Sequence, residues 1–205
     1  MARRAHDRVK SAVFHLRVTL LGVEPAVWRL IRVPGDIHLE DFHSVLQVLM
    51  PWDDLHDHRF VIGNEQFGAR KRDPHETNMG DESRITLQKA SRLANGRFRY
   101  EYDFGDGWQH DIVIEKESPW EKGSWVPVCL EGAYACPPED CGGPSGFADL
   151  LQAAGNPSHE RHLEMQPWLS ERAKESFDPE RLDLALMNKM LKWVAQDLRR
   201  KAPSR

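Results

Sequence analysis

The sequence predicts an α+β protein: an antiparallel sheet made of β-hairpins and packed by several helices, with the helices mainly in the C-terminal half. Three observations carry this expectation. Phe14, Leu16, Val18 and Leu20 alternate with His15, Arg17 and Thr19, the period of two of a half-buried strand. Alternating runs at 98–102 and 112–115 flank Gly105-Asp106-Gly107, the composition of a hairpin tip. Apolar residues at helical spacing then dominate the chain from Gly146 onward.

Taken in order, the first strand turns at 22–25 into a second at 28–33, closed by Pro34-Gly35, and the two read as a hairpin. Leu39, Phe42, Val45, Leu46 and Leu49 recur at helical spacing, which predicts a helix over 39–49 with Asp36 or His38 at its start and Pro51 after its end. A short strand follows at 60–62. Residues 69–84 are polar and read as an exposed loop, and 85–92 as a short helix. Half of the 24 residues at 123–146 are Gly, Pro or Cys, so irregular structure is expected there. Helical patterning returns at 146–154, 158–170 and 179–200. The last has Asp178 as cap, Pro179 at its first position, and Leu182, Leu186, Met190, Trp193 and Val194 as its apolar face.

Composition excludes several classes. The formal charge is −4 over 205 residues, but residues 1–10 carry +3, residues 192–205 carry +4 and the stretch between carries −11. An acidic body with basic ends is not a broad nucleic-acid-binding face, so nucleic acid is expected to be touched only through the tails at 1–10 and 196–205. No apolar run reaches the roughly 18 residues that cross a bilayer, so no membrane contact is expected. The first residues lack the apolar core of a secretory signal. Cys129, Cys136 and Cys141 are an odd set, unsuited to a disulfide framework, and a cytoplasmic location is expected.

Histidines and carboxylates carry the chemistry. His56 and His58 lie two apart and, if extended, share one face, which suits either a common metal or a hydrogen-bonded pair that positions a turn. Asp103, Asp106 and His110 fall within eight residues around the hairpin tip and read either as a cation site or as turn chemistry. The three cysteines miss the usual zinc-knuckle spacing slightly and would need a fourth ligand such as His110, His159 or His162. Reduced buried thiols, or a nucleophile at Cys136 or Cys141, are the other readings. Cys136-Pro-Pro-Glu139-Asp140-Cys-Gly-Gly143 is a stiff loop able to present Glu139 and Asp140 to a ligand, or to cap the sheet. Among seven tryptophans, Trp28, Trp52, Trp108 and Trp193 fall beside patterned apolar residues and read as core, whereas Trp120 and Trp125 sit in a polar loop.

Several segments together carry a resemblance: Pro25-Ala-Val-Trp28-Arg29, Trp52-Asp-Asp-Leu-His56-Asp-His58-Arg-Phe60, Tyr102-Asp103-Phe-Gly-Asp106-Gly-Trp108-Gln-His110, Cys136-Pro-Pro-Glu139-Asp140-Cys-Gly-Gly143 and Phe177-Asp178-Pro179-Glu180. In this order they resemble the plasmid open-reading-frame-three-like family, named from a root-inducing plasmid and also labelled as insertion-element, resolvase-like proteins. The resemblance covers about 11–195 and implies one compact domain over that range. The positions that match the family are Trp28, Arg29, His56, His58, Asp103, Asp106, Trp108, His110, Glu139, Asp140, Gly142 and Gly143, and of these Trp28, Arg29, Asp103, Asp106 and Trp108 are the candidate binding residues. A resolvase chemistry is not implied, because Ser11 stands alone and no helix-turn-helix is visible.

Two functions follow as expectations. One is an intracellular accessory or binding module of mobile elements that binds a protein partner, or nucleic acid through its basic tails. The other is a metal-binding domain or metal-dependent hydrolase. There His56, His58, His110 and the cysteines are candidate ligands for a divalent metal such as zinc, with Asp103 or Asp106 completing the shell around the histidines. Glu139 or Asp140 would serve as base.

Overall fold

The computed structural model describes residues 12–69, 79–121, 126–164 and 177–201. Eight strands form one sheet: β1 Val13–Leu20, β2 Trp28–Pro34, β3 His58–Ile62, β4 Glu65–Gly68, β5 Gly80–Asp81, β6 Arg97–Tyr102, β7 Trp108–Ser118 and β8 Val128–Ala133. Their spatial order is β5-β4-β3-β6-β7-β1-β2-β8. Every neighbouring pair is antiparallel except β4 and β5. Among the described residues four whole helices accompany the sheet: α1 Leu39–Leu49, α2 Leu87–Leu93, α3 Gly143–Gly155 and α4 Leu184–Lys201. The predicted α+β class and the two predicted hairpins, β1–β2 and β6–β7, are observed, and α3 and α4, the two longest helices among the described residues, lie in the C-terminal half.

Period-two alternation sorts the sheet into two faces. Leu16, Val18, Ile31, Val33, Phe60, Tyr100, Tyr102, Trp108 and Ile112 are buried in the core, together with Leu39, Phe42, Val45, Leu46 and Leu49 of α1. His15, Arg17 and Thr19 alternate with these and point to the other face, where ion pairs such as Arg17–Glu115 and Arg97–Asp111 lie at the surface. Trp28 belongs to that face too. It is half-buried, with the Arg17 guanidinium 4.2 Å over its ring, rather than in the core as expected.

Other departures have local causes. β8 forms inside the Gly- and Cys-rich stretch, because β2 offers an open edge on which it pairs. Residues 80–84 form β5 and a 3-10 turn, not only a loop. α4 starts at Leu184, not 179. Asp178 instead accepts the Glu180 N–H in a turn, Pro179 O accepts from Ala135 N, and Asp183 takes the cap by accepting the Leu186 N–H at 2.8 Å. Its buried stripe is Met187, Leu191 and Ala195, so Leu186 and Trp193, expected inside, are exposed at 53% and 59%. Trp120 is half-buried. Trp125, Ser11, the N-terminal tail and residues 165–170 of an expected helix lie outside the described residues. Among the described residues no helix is long and apolar enough to cross a membrane.

Candidate functional site

Three loops meet at the end of the sheet where β6 turns into β7. The first is 50–57, between α1 and β3. Trp52 stacks on Tyr102 with ring centroids 4.9 Å apart and sends its indole N–H to Pro137 O at 2.9 Å. The second is the hairpin tip. Asp103 Oδ1 accepts from the backbone N–H groups of Gly105 and Asp106 at 2.9 and 3.2 Å, and holds the turn. The third is 136–142. Glu139 accepts the Tyr102 hydroxyl at 2.5 Å on Oε1 and the Asp53 N–H at 3.0 Å on Oε2, so both its oxygens are engaged. Asp106 Oδ2 accepts the N–H of Gly142, the residue ahead of α3. Gly143 must be glycine here: a Cβ would sit 2.2 Å from Asp106 O, at φ +69.

This docking brings His56, Asp103 and Asp140 together. His56 Nε2 lies 3.1 Å from Asp140 Oδ1 and 3.7 Å from Asp103 Oδ2. One donor atom from each of the three lies within 4.8 Å of the others. Donors around a first-row ion at bonds of about 2.1 Å are separated by about 3.0–3.5 Å; the His56–Asp140 spacing falls in that range and the His56–Asp103 spacing lies just beyond it. His56 Nε2 is shielded from solvent, yet no neighbour meets it with hydrogen-bond geometry. Asp103 and Asp140 have φ of 53 and 57, left-handed conformations that Asp tolerates better than most residues and that tend to gather at functional sites.

His58 does not join His56. The chain bends at His56, and His58 enters β3 and pairs with Glu82 at 2.8 Å, with both side chains almost fully buried. Its ring stacks on His43 with centroids 3.6 Å apart and planes 5° from parallel. His43, Asp54 and His58 also bring donor atoms within 4.8 Å. Imidazole lone pairs lie in the ring plane, however, so two parallel stacked rings do not aim at one ion. A closed hydrogen-bond ring satisfies His43 and Asp54 instead, and Glu82 satisfies His58. Gln47 Nε2 donates to the Tyr100 oxygen at 3.0 Å, the Tyr100 hydroxyl meets His43 Nδ1 at 2.7 Å, His43 Nε2 meets Asp54 Oδ1 at 2.8 Å, and the Asp54 N–H donates to Gln47 Oε1 at 3.2 Å. Because Gln47 donates to Tyr100, the tyrosine proton goes to Nδ1 and the imidazole proton to Asp54. Burial, and then the neighbouring His58, lower the His43 pKa.

The remaining candidates lie in the core. His110 is wholly buried, its Nδ1 3.3 Å from Tyr100 O, and burial pushes its pKa down to about 3. Trp108 is buried against Trp52. Arg29 is 1% exposed and donates to four carbonyls, those of Leu49, Trp28, Ala133 and Tyr134, which pins β2 to α1 and to the end of β8. Cys136 contacts Met50 Sδ at 3.6 Å. Burial raises all three thiols, Cys129 to about 11 and Cys141 to about 12, the opposite of what a nucleophile requires. Among the described residues no converging group of three ligand-type side chains includes a cysteine.

The comparisons with known proteins follow the same architecture. The model of the family described as "Plasmid pRiA4b ORF-3-like protein" matches residues 12–186. This chain belongs to that family. A relative, "Uncharacterized protein y4hQ" of Sinorhizobium fredii, is 36% identical over 193 residues, 94% of this chain and 97% of the relative. The crystal structure titled "Protein of Unknown Function MM3350 from Methanosarcina mazei Go1" is 31% identical with a TM-score of 0.77, covering 86% of this chain and 97% of that one. In this pRiA4b ORF-3-like protein three of the five resembling motifs, those beginning at Trp52, Tyr102 and Cys136, supply the three site loops. The ring of His43, Gln47, Asp54 and Tyr100 is absent from the sequence reading. Its available signal was His43 and Gln47, four apart on the apolar side of α1, where polar residues need partners.

Proposed function

We propose that this chain is a binding module centred on a divalent metal, with His56, Asp103 and Asp140 as its protein ligands. The observation that carries this is the convergence of one imidazole nitrogen and two carboxylate oxygens from two loops and a hairpin tip. With neutral imidazole the set carries two negative charges, which a divalent ion offsets. One nitrogen with two carboxylate oxygens suits zinc or manganese. Both oxygens of Glu139 are already bonded, which favours a brace for the loops over a hydrolytic base. The family's plasmid origin fits an accessory role of this kind.

Untagged protein, dialysed against chelator, is titrated with zinc and with manganese by calorimetry. One equivalent is expected to bind, with a rise in melting temperature, since an ion at about a hundred times its Kd stabilises by about 2.7 kcal/mol. Asp103→Asn keeps the turn acceptor and Asp140→Asn keeps the left-handed backbone, so both variants are expected to fold and to lose the ion. An absent heat and an unmoved melting temperature with both metals would overturn the reading.

A further inference from the structure

We propose that a rung of basic side chains across the open face of the sheet, Arg32, His15 and Lys116, binds a phosphate group. In the strand register His15 of β1 faces Arg32 of β2 on one side and Lys116 of β7 on the other. Like charges directly opposite one another weaken a sheet. Elsewhere on this face three arginines are matched by acids, Arg17 by Glu115 at 2.5 Å, Arg59 by Glu101 at 2.5 Å and Arg97 by Asp111 at 2.9 Å, while Arg99 donates to the Gln109 amide oxygen at 3.3 Å. Arg32 and Lys116 reach no carboxylate among the described residues. The Arg32 Nε atom is shielded from solvent and has no hydrogen-bond partner.

These side chains line one cavity with Ser118 and Glu121. The Ser118 hydroxyl lies 3.4 Å from both His15 Nε2 and Val13 O, long contacts that leave it able to turn toward a ligand. The His15 pKa is lowered first by burial and then by Arg32 and Lys116, with Glu115 opposing, so the two cations act on the ring from both sides. A tetrahedral phosphate offers several acceptor oxygens to these donors: a guanidinium fork, an ammonium, an imidazole and a hydroxyl. Glu121 on the cavity wall opposes an anion.

The test follows the His15 ring by NMR while inorganic phosphate, and separately a nucleoside monophosphate, is added at constant ionic strength with chloride as control. A saturable shift is expected, with a raised His15 pKa. Arg32→Ala and Lys116→Ala each are expected to weaken it about tenfold, and Glu121→Gln to tighten it. Equal affinity for the two probes assigns the free anion, and tighter binding of the nucleotide assigns a phosphate carried on an organic group. Without anion both alanine variants are expected to be at least as stable as the parent, since each removes a like-charge contact. A missing saturable shift, or a shift that both alanine variants retain, overturns the assignment.

Discussion

His110 shows how a residue with the right chemistry can serve the fold. It is wholly buried, its Nε2 has no partner, and burial lowers its pKa from 6.5 to about 3. The unfolded chain therefore binds a proton that the folded chain refuses between pH 6.5 and about 3. Stability contributed by the neutral ring is present above that window and is lost as pH falls through it. By about pH 5 the loss is about 2 kcal/mol. His110→Leu removes the titration and keeps an apolar side chain of similar bulk. Urea unfolding at neutral pH and near pH 5 is expected to show a smaller loss in the variant, and equal losses would sink the assignment. Arg29 makes the complementary case. A lysine there keeps the charge but not the fork that reaches four carbonyls. Arg29→Lys is expected to cost about 2–4 kcal/mol in the same measurement.

Among the elements, the contact between hairpin tip and α3 decides whether the site assembles. Gly107 and Gly143 have nearly the same backbone, φ +71 and +69, but a Cβ at Gly107 meets nothing within 4 Å whereas one at Gly143 meets Asp106 O at 2.2 Å. Gly107→Ala is expected to cost about 1–2 kcal/mol for the left-handed conformation alone. Gly143→Ala is expected to cost about 3 kcal/mol or more and to detach Asp140 from His56. Thermal unfolding separates the two, and metal affinity reports the detachment. The caps of α4 give a second contrast. Asp183→Ala is expected to cost about 1 kcal/mol, and Asp178→Ala less, since Asp178 holds only a turn. These elements also mark what the sequence disclosed. Alternation exposes β1, β6 and β7 because one face of each is wet. β8 was hidden because its pairing partner, β2, and not its own composition, makes it a strand. The N-terminus of α4 lies beyond Asp178-Pro179 because that pair suits a turn as well as a helix. His56, Asp103 and Asp140 were each visible as candidates. Their union, and the exclusion of His58 and His110, required the bend at His56 and the long-range docking of 136–142 on 50–57.

At the scale of the whole molecule, one contiguous core runs from Phe14 of β1 to Leu191 of α4, and includes the aromatic group Trp52, Tyr100, Tyr102 and Trp108 that supports the site. The proposed ligands straddle this core: His56 and Asp103 belong to its sheet side, and Asp140 to the loop leading into α3. If the chain is one cooperative unit, the probes of its two halves cannot separate. Far-UV circular dichroism, which follows all elements, and tryptophan fluorescence, to which buried Trp52 and Trp108 contribute, are expected to give coincident unfolding transitions. Added zinc is expected to move both transitions together, because an ion that binds only the docked loops stabilises everything that unfolds with them. A fluorescence transition that shifts with metal while the circular dichroism transition stays put would instead make the three site loops a separately melting lid, and the binding module would then be smaller than the domain that carries it.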